Sequence, residues 1–106
     1  MTDYRVIFIA CPGLDEAERI AQVLVEEKLA ACVNILPKIT SIFWWENKVE
    51  RTEELLLIVK TKKDRVKRLI DLVKKIHSYR VPEIISLSIT EGSKDYLEWV
   101  EKAVEY

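Results

Sequence analysis

Glycine is nearly missing from this chain: two residues in 106, beside three prolines, one methionine and one histidine. A Walker loop, a dinucleotide fingerprint and a G-x-S-x-G elbow all need glycine at fixed offsets. None of the three occurs, and neither does H-E-x-x-H. The chain therefore reads as a non-enzyme; a general-acid role for Glu54 or Glu83 would require a raised pKa. Cysteine is equally scarce. Cys11 and Cys32 stand 21 positions apart with no C-x-x-C pair, which argues against a disulfide framework and against a structural zinc cluster. Long apolar runs are absent too: the first, Val6 to Ala10, is too short for a signal-peptide core or a bilayer span. The expectation is a soluble, cytoplasmic protein with no membrane partner. A formal charge of −1 supplies no global field to recruit nucleic acid. Two asparagines and one glutamine, against 17 basic and 18 acidic side chains, point to a heat-adapted, thermostable chain.

What is present is apolar sequence in short, patterned blocks. Apolar residues make up 49% of the chain and charged ones 33%, which suits a single globular domain spanning residues 1–106. Tyr4 to Ala10 reads as a central strand, ended by Pro12-Gly13. Asp15 with Glu18 suggests a capping box, after which Ala17, Ile20, Ala21 and Leu24 recur at helical spacing to Lys28-Leu29. A long extended arm runs from Cys32 to Trp45, with Pro37 placed to bend it. After the turn Glu46-Asn47-Lys48, Leu55 to Val59 predicts a second central strand. Thr61 and Asp64 are expected to open a second helix whose stripe is Val66, Leu69, Ile70, Val73, Ile76 and His77. Val81-Pro82 begins a last strand in which Ile85, Leu87 and Ile89 alternate with polar residues. Gly92-Ser93 then caps a third helix carrying Tyr96, Leu97, Val100, Ala103 and Val104.

Strand, helix, strand, strand, helix, strand is the order of an α+β ferredoxin-like split β-α-β sandwich. In it an antiparallel sheet carries two helices on one face, with one helix to spare. That extra helix would cover either the sheet's open face or a neighbouring subunit. The long arm falls at a sheet edge, and its tip carries Phe43, Trp44 and Trp45 in a row. Alternation cannot hide three consecutive rings on one face. An apolar edge of this kind is a pairing template that monomers normally blunt, so the expected cover is further copies of the same chain, with Phe43, Trp44 and Trp45 at the interface.

The run LAACVNILPKITSIFWWENKVE, then Glu54, Lys60-Thr61, HSYRVPE from His77 to Glu83, and Tyr96-Leu97-Glu98-Trp99 resemble the CutA family of divalent-cation tolerance proteins. The resemblance covers nearly the whole chain, with its motifs in order. It implies a homotrimer of ferredoxin-like subunits with interlocking long hairpins, similar to the trimeric PII signalling proteins. It also implies a role in tolerance of copper and other divalent metals. One departure is Asn47, where the family usually has glycine in the hairpin turn; asparagine accepts the left-handed φ such a turn needs.

Two groups of residues carry candidate chemistry. His77, the lone histidine, offers a borderline ligand to copper or another divalent metal ion, an assignment that leans on the resemblance; as a helix C-terminal residue it is equally served by the helix dipole and by packing. Cys32 and Cys11 supply soft sulfur that with His77 would make a three-coordinate site if the three converged. Unpaired cysteines also serve as small buried hydrophobes. Trp45, Glu54, Lys60, Tyr79 and Glu83 form the second group, set at strand ends where a neighbour's hairpin would approach. They would line an intersubunit cleft for a small anion or metabolite, as in a PII-like adaptor that also engages a partner protein, or they would form a salt-bridged seam. Lys60 to Arg80 holds nine basic residues against Asp64 and Asp71. The central strands lack the stacking aromatics of an RNA recognition motif, so this run reads as a solvated helix face and not a nucleic-acid surface.

Overall fold

A computed structural model describes residues 3–106. Its elements are β1 (Tyr4–Cys11), α1 (Leu14–Glu26), β2 (Cys32–Trp45), β3 (Lys48–Lys62), α2 (Val66–Ile76), β4 (Ile84–Ser88) and α3 (Lys94–Ala103), with a 3₁₀ turn at Lys63–Arg65 ahead of α2. The strands form one sheet in the order β2-β3-β1-β4, and every neighbouring pair is antiparallel. This is the ferredoxin-like α+β arrangement, with β1 and β3 central and the long arm at an edge.

Alternation along β1 and β3 sends Ile7, Ile9, Cys11, Leu57 and Val59 to one face. There they pack with Ala17, Ile20 and Leu24 of α1 and Leu69 and Val73 of α2 in the main core. The third helix lies on the opposite face, over one end of the sheet. Leu97, Val100 and Val104 meet Tyr4 and Ala31 in a second cluster, and the Tyr4 hydroxyl donates to Glu101 at 2.9 Å. Of the two covers open to that helix, it takes its own subunit's sheet. Further along that face Leu36, Ile85 and Leu87 are each at least 40% exposed.

The structure revises several local expectations, and the last strand is shorter than expected, Ile84–Ser88, with Val81-Pro82 before it and Ile89 beyond it. The second central strand is 15 residues, Lys48–Lys62, and not only Leu55 to Val59, because β2 pairs with it from Lys48 to Lys60 and β1 carries it on to Lys62. The first helix starts at Gly13 and not through an Asp15–Glu18 box: Ala17 N–H donates to Gly13 O at 3.0 Å, and no side chain caps the end. Thr61 remains in β3, buried, donating its hydroxyl to Leu29 O at 2.7 Å, so α2 begins later, at Val66. A hydroxyl that finds a buried carbonyl has no reason to cap a helix.

Pro37 does mark an irregularity. Pairing of β2 with β3 shifts between Leu36 and Ile39, and Lys38 takes φ 59°. Beyond it the hairpin continues to a two-residue loop, Glu46 at φ 49° and Asn47 at φ 66°, the signs of a type I′ turn. The arm gives the molecule extents of 44 × 25 × 22 Å and a radius of gyration of 14.2 Å. A compact chain of this length has a radius of about 13 Å, so the hairpin projects past the body.

Candidate functional site

Pairing divides the projecting hairpin into two faces. Trp44 opposes Val49, and Ile42 opposes Arg51, on one; Phe43 opposes Glu50, and Trp45 opposes Lys48, on the other. Trp44, Ile42 and Val49 are 73%, 61% and 60% exposed and form an uncovered apolar patch. Phe43 and Trp45 instead look over a groove of about 790 Å³ whose far wall is the segment from Tyr79 to Glu83. Glu50, Thr52 and Glu54, alternate residues of β3, line the same side.

That far wall is fixed by a chain of hydrogen bonds starting at the end of α2. His77 caps the helix in extended conformation, is buried, and places Nε2 2.7 Å from Ala10 O. Its Nδ1 accepts the Tyr79 backbone N–H at 3.0 Å, which leaves the ring proton on Nε2, donated to Ala10. Glu16 of α1 accepts from Ser78 N–H at 2.8 Å and approaches His77 Nδ1 at 3.3 Å. Burial works to raise the Glu16 carboxyl, but the bonds from Ser78, with His77 and Arg19 nearby, hold it below the ordinary carboxylate range. Held this way, Tyr79 donates its hydroxyl to Glu54 Oε2 at 2.7 Å. Burial, then the Glu54 carboxylate, pushes the phenol well above its usual range. Arg80 lies over the Trp45 ring at 5.5 Å and ties the hairpin to the wall.

The two groups named from the sequence fare differently. Trp45, Glu54, Tyr79 and Glu83 all line the groove. Lys60 does not: it pairs with Cys32 and Val6 and donates to Asn34 Oδ1, six residues along β3 from Glu54, or about 20 Å. Cys11 is fully buried in the main core, its thiol pushed up to about 12 by burial and then by Glu16 and Glu54. Cys32 lies on the opposite face and about 17 Å further along the sheet, half-buried, with Sγ 3.9 Å from Asn34 Oδ1. Burial and then Cys32 raise the Tyr96 phenol beside it. Within one subunit Cys11 and His77 are neighbours through Ala10, and Cys32 does not join them. Among the described residues no three His, Cys, Asp or Glu side chains gather where they could hold a metal ion. Arg80, Glu50 and Glu16 belong to the site and were not picked out from the sequence. Glu50 was within reach, because counting back by twos from Glu54 arrives at it.

The comparisons with known proteins agree with this fold. Residues 5–103 match the family described as CutA1 divalent ion tolerance protein. The chain belongs to the CutA1 divalent ion tolerance family. Divalent-cation tolerance protein CutA from Archaeoglobus fulgidus is 48% identical over 102 residues, 96% of this chain and 99% of that protein. Its structure, described as that of a periplasmic divalent cation tolerance protein, superposes with a TM-score of 0.93. CutA from Xylella fastidiosa, 40% identical over 97% of this chain and 99% of its own, gives 0.94. Protein CutA from Homo sapiens is 43% identical over 92% of this CutA1-family chain, which spans 55% of that longer protein. These names point to a tolerance or binding protein and away from an enzyme.

Proposed function

We propose that this chain acts, without catalysis, in tolerance of copper and other divalent cations, as a single-domain subunit of a homotrimer. The observation that carries the assembly is the uncovered patch of Trp44, Ile42 and Val49 on a hairpin that projects beyond its own body. Metal is held weakly, through groups that different copies bring together, since the described residues of one subunit gather no ligand set of their own. Cys32 is the more available ligand. His77 would have to release Ala10 or Tyr79, and Cys11 would have to lose a tightly held proton. Two unpaired cysteines suit a reducing compartment, so we place the protein in the cytoplasm; the periplasmic description of the A. fulgidus structure makes cell fractionation the check. Titration of Cu(I), Cu(II) and Zn(II) into the wild type and a Cys32→Ala/His77→Ala variant tests the ligands. Identical binding by both would remove the two residues from the site.

The groove favours a second reading, a PII-like adaptor whose cleft takes a small molecule or a partner protein. It is supported by a cavity of about 790 Å³ with two aromatic walls and a buried carboxylate. Thermal-shift screening separates the readings, because a ligand raises apparent stability by mass action. A shift with metals alone favours the first, and a shift with organic ligands alone the second.

A further inference from the structure

Glu54 is 7% exposed, lines the hairpin groove, and receives one hydrogen bond, from the neutral Tyr79 hydroxyl. Among the described residues no lysine, arginine or histidine nitrogen comes within 4.0 Å of it. Buried carboxylates are normally matched by a cation, because desolvation of a lone charge is expensive. The lysine that the sequence offered as its companion lies at the other end of β3. Glu54 is therefore left without a direct countercharge among the described residues of the subunit, although Arg51 and Arg80 line the same groove. Glu50 and Glu83 add two further carboxylates to the lining, against the two guanidinium groups of Arg51 and Arg80, so carboxylates outnumber cations there by one. The Trp45 ring already takes a guanidinium, that of Arg80, so its face is accessible to cations from within the groove.

We propose that this groove binds an organic cation, a primary amine or guanidinium on an apolar or aromatic body, with Glu54 as counter-ion and Trp45 as ring wall. The inference deepens the cleft reading above, on which it rests, and gives the ligand the opposite sign from the anion that a lysine-lined cleft would select. A primary ammonium suits the site better than a quaternary one, since Glu54 has acceptor capacity left beyond the bond from Tyr79. Arg80 acts as an internal competitor that leaves Trp45 when the ligand enters.

The test uses the assembled full chain and three probes of one shape and different charge: phenethylamine, 2-phenylethanol and 3-phenylpropionate. Binding is followed by calorimetry and by the indole N–H resonance of Trp45. The amine is expected to bind at least about tenfold more tightly than the alcohol, the scale of one charge-assisted hydrogen bond, and to shift the Trp45 resonance. Glu54→Gln keeps an acceptor for Tyr79 and removes the charge, so it should erase that preference. Arg80→Ala should tighten amine binding, and it probes the site even if Glu54→Gln fails to fold. Preference for the propionate would overturn the cation while leaving the cleft reading standing. Binding of none of the three would overturn the cation proposal and leave the cleft reading to the thermal-shift screen. Amine binding that appears only in Lys60→Ala would show the countercharge to be the lysine of another copy, which also overturns the proposal.

Discussion

Replacing Trp44 by serine should weaken the proposed trimer while leaving the subunit folded. A buried tryptophan carries about 250 Å² of surface. With 73% of Trp44 exposed in the lone subunit, roughly 180 Å² per copy awaits cover. At about 25 cal/mol per Å² its burial contributes up to about 4.5 kcal/mol at each contact. Ile42 and Val49 on the same face remain, so the loss is partial; a weakening of about a thousandfold in the subunit dissociation constant is the expected scale. Trp45→Ser makes the control. That ring is 38% exposed and lies under Arg80, so its removal should cost the assembly roughly half as much and should loosen the groove wall instead. Sedimentation velocity over a dilution series reads both variants, and far-ultraviolet circular dichroism reports whether the subunit stays folded. A Trp44→Ser protein that stays trimeric across the same range as the wild type would refute the reasoning, as would a wild type that is monomeric at micromolar concentration.

Further outcomes follow from single contacts. Thr61→Val strands the buried Leu29 carbonyl and should lower stability by about 1–2 kcal/mol in urea unfolding, whereas an exposed Thr40→Val should be near neutral. Glu46→Asn with Asn47→Gly fits the two positive-φ positions of the hairpin turn better and should raise stability by about 1 kcal/mol; a fall would mean that the loop is not type I′. Cys11, buried and with its thiol pushed up to about 12, should resist alkylation at pH 8 until the chain unfolds, and native-state labelling at the rate of a free thiol would contradict its placement. The depressed Glu16 carboxyl binds protons less readily folded than unfolded. Its contribution is thus complete above the ordinary carboxylate range and is lost as pH falls through the lowered value, and Glu16→Gln should flatten the acid limb of a melting-temperature profile.

The sheet was legible because its two periods are unambiguous. Ile7 and Ile9 alternate into the core, the α2 stripe from Val66 to Val73 follows the helical period, and Pro37 announces the bulge that Lys38 completes at positive φ. Boundaries were less so, for a physical reason. Lys48 to Glu53 carries mostly polar side chains because both faces of the hairpin reach solvent in a lone subunit, so no hydrophobic pattern marks it as strand; only backbone pairing with β2 does. Thr61 misled as a cap because a threonine's local options on the chain are visible in sequence, and a carbonyl 32 residues away is not.

Four of the five residues expected at an intersubunit cleft share one groove within a single subunit, and Lys60 does not join them there. Lys60 and Glu54 are both even-numbered on one strand, so they share a face, and both were expected at strand ends that a neighbour's hairpin would approach. On a helix six residues would span about 9 Å, whereas on an extended strand they span about 20 Å, enough to put the lysine beside Asn34 and the carboxylate beside Tyr79. Of the two arginines that line the groove, Arg51 comes from β3 and Arg80 from the segment after α2, and the place of Arg80 depends on a buried histidine and an acid of α1 that no spacing rule connects. The charge of the groove is therefore a property of how far a strand carries its residues apart. A ligand of the sign Glu54 selects would be the direct measure of that length.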